Sequence, residues 1–126
     1  METAAILLSS ARSLAVESVA LKDPTDEDVV VDIRHSGIST GTEKLFWTGE
    51  MPPFPGMGYP LVPGYESLGE VVEAGAASGR KVGQTVFVPG ADCYREVRGL
   101  FGGAARRVIW VRRARCSPSR PRRGMP

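Results

Sequence analysis

The residue types that most often hold metals or act as bases are few in this chain and widely spaced. Cys93 and Cys116 lie far apart and form no CxxC pair, so the sequence predicts neither a disulfide framework nor a clustered zinc site. His35 is the only histidine. An imidazole can act as a general base near neutral pH, but at the end of a predicted strand we favour a packed or solvated side chain.

A dinucleotide site needs a strand, a turn and a helix with Gly-x-Gly-x-x-Gly, followed about 20 positions later by an acidic residue. No such pattern occurs in the sequence. Gly56-Met57-Gly58 lacks the third glycine, and the glycine-rich run 99–103 leads into arginines instead of a βαβ unit. We therefore predict no cofactor-binding residue in this chain.

The elements that would position any site are short segments rich in β-branched and apolar residues. Turn residues separate them, as in the Asp-Pro-Thr-Asp-Glu-Asp cluster 23–28. Many short strands at close spacing favour a barrel or a sandwich. The predicted strands are Thr3–Leu8, Leu14–Leu21, Asp28–Ile33, Glu66–Glu73 and Gln84–Val88.

The segment Gly49–Gly64 is dense in proline and glycine and predicts a long loop, preceded by one or two helical turns over Thr42–Thr48. We favour packing of the loop's apolar side chains onto the barrel over direct ligand contact, and both alternatives stay open. These side chains are Met51, Phe54, Met57 and Tyr59.

At 126 residues the chain suits a single domain with a substantial core. Residues 1–105 carry a net charge of −6, whereas residues 106–126 hold eight arginines and no acidic residue. A nucleic-acid-binding arm is one interpretation, because clustered arginines neutralise phosphates. Since this segment holds no lysine, we favour a frameshifted end that was never selected to fold. The sequence thus predicts a folded domain over 1–105 and a disordered or frameshifted tail over 106–126.

No segment has the features of a signal peptide or a membrane span. The chain begins with an acidic residue at Glu2 and only a short apolar run, and no window approaches the roughly 20 apolar residues that a span requires. Two unclustered cysteines fit a reducing compartment. We expect a cytoplasmic protein.

Several stretches resemble the medium-chain dehydrogenase/reductase superfamily. Val30–Glu43 (VVDIRHSGISTGTE) is similar to a strand that leads into Gly-Ile-Cys-Gly-Thr-Asp, Gly64-Tyr65-Glu66 to Gly-His-Glu, and Val82–Phe87 to Val-Gly-Asp-Arg-Val. Three stretches resemble, more closely, the bacteriochlorophyllide dehydrogenases of bacteriochlorophyll synthesis: Ser36–Gly56, Tyr59–Ser67 and Val97–Ala105. The resemblance implies a mostly β, GroES-like alcohol-dehydrogenase N-terminal barrel from which the Rossmann domain is absent.

The resemblance also indicates what has become of the family's catalytic zinc ligands. Their positions correspond to Ser39 or Thr40 and to Tyr65, while Glu66 is retained. Zinc is held by Cys sulfur, His nitrogen and carboxylate oxygen, and hydroxyl groups are poor substitutes. We therefore expect no catalytic zinc.

Without zinc, oxidation of an alcohol needs a base or a proton relay beside the hydroxyl. Thr42 and Glu43 match the Thr-Asp of the family signature, whose hydroxyl belongs to such a relay. The alternative is that Thr42 caps a short helix and that Glu66 pairs with an arginine. The catalytic candidates are Thr42, Tyr65, Ser39, Thr40, Glu43 and Glu66.

The enzymes that this sequence resembles oxidise the 3-(1-hydroxyethyl) group of a bacteriochlorophyllide to an acetyl group and pass a hydride to NAD. Aromatic and Met side chains offer a flat macrocycle a large apolar surface, although core packing explains them equally well. The candidate substrate-binding residues are Trp47, Phe54, Met57 and Tyr59.

The resemblance implies that this chain alone is an inactive N-terminal domain and that a homodimer forms only at full length. It also implies, as one alternative, that the protein is located at the periphery of the photosynthetic membrane. Two alternatives remain: another zinc-independent medium-chain reductase, and a small protein that binds nucleic acid through its basic tail, which we favour less.

Overall fold

The computed structural model describes residues 1–55, 57–64, 66–99 and 103–111. The described chain is mostly β, with one helix. In chain order the elements are β1 (Glu2–Ser10), β2 (Ser13–Ala20), β3 (Val29–Gly37), α1 (Thr40–Thr48), β4 (Glu66–Ala74), β5 (Thr85–Val88) and β6 (Arg107–Trp110). In this part of the chain, no helix is long and apolar enough to cross a membrane.

The strands form two antiparallel sheets. β1 and β2 make a hairpin, and the other four strands are ordered β5-β4-β3-β6. β1 joins the rest of the structure through isolated bridges from Ala5 to Ala105 and from Leu8 to Leu61. Backbone hydrogen bonds therefore join β1 to the connecting segments at Leu61 and at 104–106.

The main core lies between the two sheets and is rich in valine. β-branched side chains favour strands because they pack well on a pleated surface. Residues from every strand take part in this core. The core residues that are almost wholly buried are Leu21, Val29, Val30, Val31, Val62, Val71, Val88 and Val108.

A second, smaller cluster lies beneath the proline-rich loop. Leu8, Phe46 and Leu61 are buried there. Four partly buried side chains from the loop pack against them: Met51, Phe54, Met57 and Tyr59. The packing that we favoured for these side chains is therefore present.

The structure places every predicted strand within two residues of its expected start, and the described residues of Gly49–Gly64 form no helix or strand. The helix begins at Thr40, two residues earlier than predicted. Ser39 is extended, with φ −90° and ψ 102°, and its carbonyl accepts a hydrogen bond from the Glu43 N–H. Gly49 ends the helix in the left-handed conformation, with φ 80°.

The boundary predicted after Ala105 is wrong, because β6 lies beyond it. β6 pairs with β3 in register Val30 to Ile109, and Val108 is completely buried. The flanking arginines dominate the composition of this region and obscured a short apolar run that completes the sheet. The rest of the predicted tail, 112–126, lies outside the described residues.

Candidate functional site

An apolar cavity of about 400 Å³ opens beside the hairpin. Its walls come from β1 and β2, from the junction of β3 with α1, and from two short backbone segments at 63–64 and 103–105. The described residues that line it are Ile6, Leu8, Leu14, Ser36, Gly37, Ile38, Glu43, Trp47, Pro63, Gly64, Gly103, Ala104 and Ala105. Concave, mostly apolar spaces with few polar groups are typical of small-molecule sites.

Glu43 is the ionisable side chain among these described lining residues. It lies in the first turn of α1, and its Oε1 accepts a hydrogen bond of 3.2 Å from the Gly64 N–H. Burial raises the pKa of the Glu43 carboxyl and outweighs this hydrogen bond, which lowers it. The cavity thus holds one carboxyl group that gains a proton more readily than an ordinary glutamate.

Gly64 allows two backbone segments of the cavity wall to meet. Its φ is +105°, and a Cβ atom at this position would lie 2.4 Å from the Ala104 backbone nitrogen. The Ala104 N–H donates to the Pro63 carbonyl at 2.9 Å. A residue without a side chain is therefore required where these segments touch.

The predicted hydroxyl candidates lie next to the cavity without lining it. Ser39 and Thr42 are half-buried, and the Ser39 hydroxyl donates to Thr42 Oγ1 at 3.3 Å. Thr40 is exposed. The alternative in which Thr42 caps the helix is wrong, because Ser39 occupies the N-cap position and Thr42 lies inside the helix.

Glu66 is exposed at the start of β4, where its side chain lies over Gly37. The predicted pairing with an arginine does not occur within the described chain, where the ion pairs use Asp23, Asp32 and Glu70. Tyr65 lies outside the described residues. His35, which we expected to be packed or solvated, is exposed and stands opposite Leu68 in the sheet.

Of the predicted substrate-binding residues, the structure places only Trp47 on the cavity, where it is 37% exposed. Phe54, Met57 and Tyr59 belong instead to the second cluster. The Phe54 ring meets Phe46 edge to face with centroids 6.4 Å apart, and the Tyr59 hydroxyl donates to the Phe46 carbonyl. These three side chains pack against a cluster that includes Leu8, which lines the cavity.

Sequence analysis missed the contribution of the hairpin. A signal was present, because alternation along β1 leaves apolar residues on both faces. Thr3 and Ala5 on one face are buried, whereas Ile6 and Leu8 on the other face line the cavity. β1 therefore packs against the core with one face and lines the cavity with the other.

Typical metal-binding side chains are scattered among the described residues. Within the described residues, no group of three or more His, Cys, Asp or Glu side chains converges. The hydroxyls at Ser39 and Thr42 are not donors that zinc prefers, and Cys93 is a buried thiol whose pKa is raised by burial. These side chains do not fit catalytic zinc.

The chain belongs to the family of alcohol dehydrogenase GroES-like domains, whose sequence profile matches residues 25–121. The fold agrees with a solved structure from Sinorhizobium meliloti 1021, a protein classed as a zinc-binding dehydrogenase and bound to NADP. That structure has a TM-score of 0.65 and 25% identity, over 89% of this chain and 37% of its own. The predicted mostly β, GroES-like fold is confirmed.

Two curated relatives are more similar in sequence. The 2-desacetyl-2-hydroxyethyl bacteriochlorophyllide A dehydrogenase of Cereibacter sphaeroides is 56% identical over 114 residues, covering 86% of this chain and 36% of the relative. The enzyme of the same name from Rhodobacter capsulatus is 57% identical over 110 residues, covering 86% of this chain and 35% of the relative. The predicted resemblance is confirmed, and the chain spans about a third of the length of these relatives.

Proposed function

We propose that this chain is the substrate-side domain of a dehydrogenase that oxidises the 3-(1-hydroxyethyl) group of a bacteriochlorophyllide to an acetyl group. Its identity to two relatives named for this activity supports the proposal. The observation that carries it is the apolar cavity with Glu43 in its wall. The apolar wall can contact the edge of the macrocycle, and the Glu43 carboxyl group can accept a hydrogen bond from the substrate's hydroxyl group.

Oxidation of a secondary alcohol removes a proton from oxygen and a hydride from the carbinol carbon. Glu43 is the proposed base, because it lines the cavity and its Oε2 has no hydrogen-bond partner among the described residues. A carboxyl group with a raised pKa is also a stronger base once it is ionised. The substrate hydroxyl would give its proton to Glu43 as the carbonyl forms.

The Ser39 and Thr42 hydroxyls are the proposed route by which the proton moves on. They are hydrogen-bonded to each other at 3.3 Å, and Thr42 adjoins Glu43 in α1. Participation of Thr40, Tyr65 and Glu66 remains a prediction from the sequence.

NAD is the proposed hydride acceptor, and its nicotinamide ring takes the hydride when the dinucleotide is bound. Since Gly-x-Gly-x-x-Gly does not occur in this sequence, we assign dinucleotide binding to the two-thirds of the relatives' length that this chain does not match. We also propose that the longer protein is a cytoplasmic homodimer, peripheral to the photosynthetic membrane.

A chimera tests this function directly. Residues 1–111 of this chain would replace the matching third of the Rhodobacter capsulatus relative, and NADH formation from hydroxyethyl bacteriochlorophyllide would be followed by absorbance. We expect substrate-dependent NADH formation. Loss of a general base reduces turnover by about 100-fold or more, so Glu43→Gln should do so. Glu27→Gln, at an exposed turn, is the matched control and should leave turnover unchanged.

A folded chimera that binds NAD but forms no NADH would contradict the proposed activity. Full turnover by the Glu43→Gln chimera would instead remove Glu43 from the mechanism while leaving the activity in place.

A further inference from the structure

The apolar face of the β1–β2 hairpin continues outward from the cavity. Leu8 and Leu14 are cross-strand partners, as are Ile6 and Val16. Because side chains alternate along a strand and partners share a face, all four lie on the same face of the hairpin. Ile6, Leu8 and Leu14 line the cavity, whereas Val16 lies on the same face outside it.

At both cross-strand pairs, the β2 residue is more exposed than its β1 partner. Leu8 is 2% exposed, Ile6 39%, Leu14 53% and Val16 74%. Single exposed apolar residues are ordinary, but a contiguous apolar patch that continues out of a cavity is typical of a binding surface. We call Ile6, Leu14 and Val16 the hairpin strip.

The cavity is too small to enclose the whole of the proposed substrate. At about 400 Å³ it lies near the small end of the range of roughly 300–1,000 Å³ for sites that enclose drug-sized ligands. A bacteriochlorophyllide, with four linked pyrrole-type rings and their substituents, is larger than such ligands. With its hydroxyethyl edge at Glu43, the rest of the ring system must extend past the cavity mouth.

We infer that the hairpin strip is the second half of the substrate site, on which the flat apolar face of the macrocycle lies. This inference rests on the proposed function and deepens it. It makes Val16 a specificity-determining residue: the strip adds affinity for a ring system longer than the cavity and adds none for a single-ring alcohol with the same hydroxyethyl group.

Two probes and one substitution test this inference on the full chain. The probes are hydroxyethyl bacteriochlorophyllide and a single pyrrole that carries the same hydroxyethyl group. Val16→Ser should raise the Kd for the macrocycle roughly three- to tenfold, because part of a valine's apolar contact is lost, and should leave the Kd for the pyrrole unchanged. Val82→Ser is the matched control, since Val82 is 65% exposed and does not line the cavity.

Val16→Thr keeps the β-branched shape and serves as the second variant if the serine variant fails to fold. An unchanged macrocycle Kd in the folded variant would overturn the inference while the proposed function stands. Equal weakening of both probes would also overturn it, since the strip would then act only through the cavity's shape. A changed oligomeric mass with unchanged macrocycle affinity would assign the strip to contact between copies instead. Failure of the wild-type chain to bind the macrocycle would count against the proposed function itself.

Discussion

The four-stranded sheet and the cavity walls differ in how completely side chains fill the space beside them. The sheet buries valines such as Val31, Val71 and Val108 completely, so its interior is filled. The cavity walls instead use backbone at Gly64 and at 103–105, where short or absent side chains leave an open space. The difference shows how one small domain can combine a well-packed core with a binding site: side chains fill the large sheet, whereas glycine and alanine in two connecting segments leave room beside the strands and α1.

The charged groups of the two regions differ in the same way. In the sheet, the Arg107 Nε–H donates to Asp32 Oδ1 at 2.6 Å, and this bond with Arg107 lowers the pKa of the Asp32 carboxyl. At the cavity, burial raises the pKa of Glu43. A compensated charge contributes to structure, whereas a partly desolvated charge without a cation is suited to proton transfer.

Phe46→Ala should produce the largest effect, because Phe46 is the aromatic centre of the cluster that supports the cavity walls. Removing a buried phenylalanine side chain costs about 4 kcal/mol of unfolding free energy. Phe87→Ala is the matched control: Phe87 is 53% exposed, and its loss should cost less than about 0.5 kcal/mol. Urea denaturation measures both. A loss below about 1 kcal/mol for Phe46→Ala would show that the cavity walls do not depend on this cluster.

Gly64→Ala should have the next largest effect, because an alanine there would be strained by its positive φ and would collide with neighbouring backbone. Gly79→Ala is the matched control that introduces only the first of these two costs. Both glycines have positive φ, but an added Cβ would meet backbone at Gly64 and nothing within 4 Å at Gly79. We expect losses of about 3 kcal/mol and about 1 kcal/mol of unfolding free energy, respectively. Equal losses in urea denaturation would mean that the contact between Gly64 and Ala104 is easily relieved.

The smallest effects are those of pH, and they have opposite signs in the two regions. The folded-state pKa of Asp32 is lowered, so its stabilising contribution is present above about pH 3.8 and is lost as the pH falls through the folded-state pKa. The folded-state pKa of Glu43 is raised, so its contribution is present below about pH 4.5 and is lost as the pH rises through the folded-state pKa.

At neutral pH, therefore, Asp32→Asn should destabilise the chain and Glu43→Gln should stabilise it. Each change should be less than about 1 kcal/mol, since both side chains are partly solvated. Urea denaturation of the two variants from pH 3 to pH 7 measures the difference. Changes of the same sign at neutral pH would contradict the contrast between the two regions.

The strands could be predicted from the sequence because local signals coincide with the structure. Valine-rich runs bounded by turn residues mark β3, β4 and β5 correctly. β6 was missed because four residues of strand stand inside an arginine-rich segment, where composition is a poor guide. Its pairing with β3 is a long-range contact that no local pattern reports.

The candidate site was predicted only in part, because its walls come from segments that are distant in sequence. Nothing local distinguishes Glu43 from Glu66, yet the first lines the cavity and the second is exposed. Likewise, four apolar residues were equivalent candidates for substrate contact, and only Trp47 reaches the cavity. The fold makes these distinctions through the positions of α1 and the loop.

The most direct test of the central claim is an NMR titration of the isotope-labelled chain with hydroxyethyl bacteriochlorophyllide. We predict that the largest amide shifts occur at the cavity walls, at Gly37, Gly64 and 103–105. Leu68 and Phe87, on the exposed face of the large sheet, should not shift. Shifts centred on Leu68 and Phe87, or no shifts at saturating ligand, would contradict the assignment of this cavity as the substrate site.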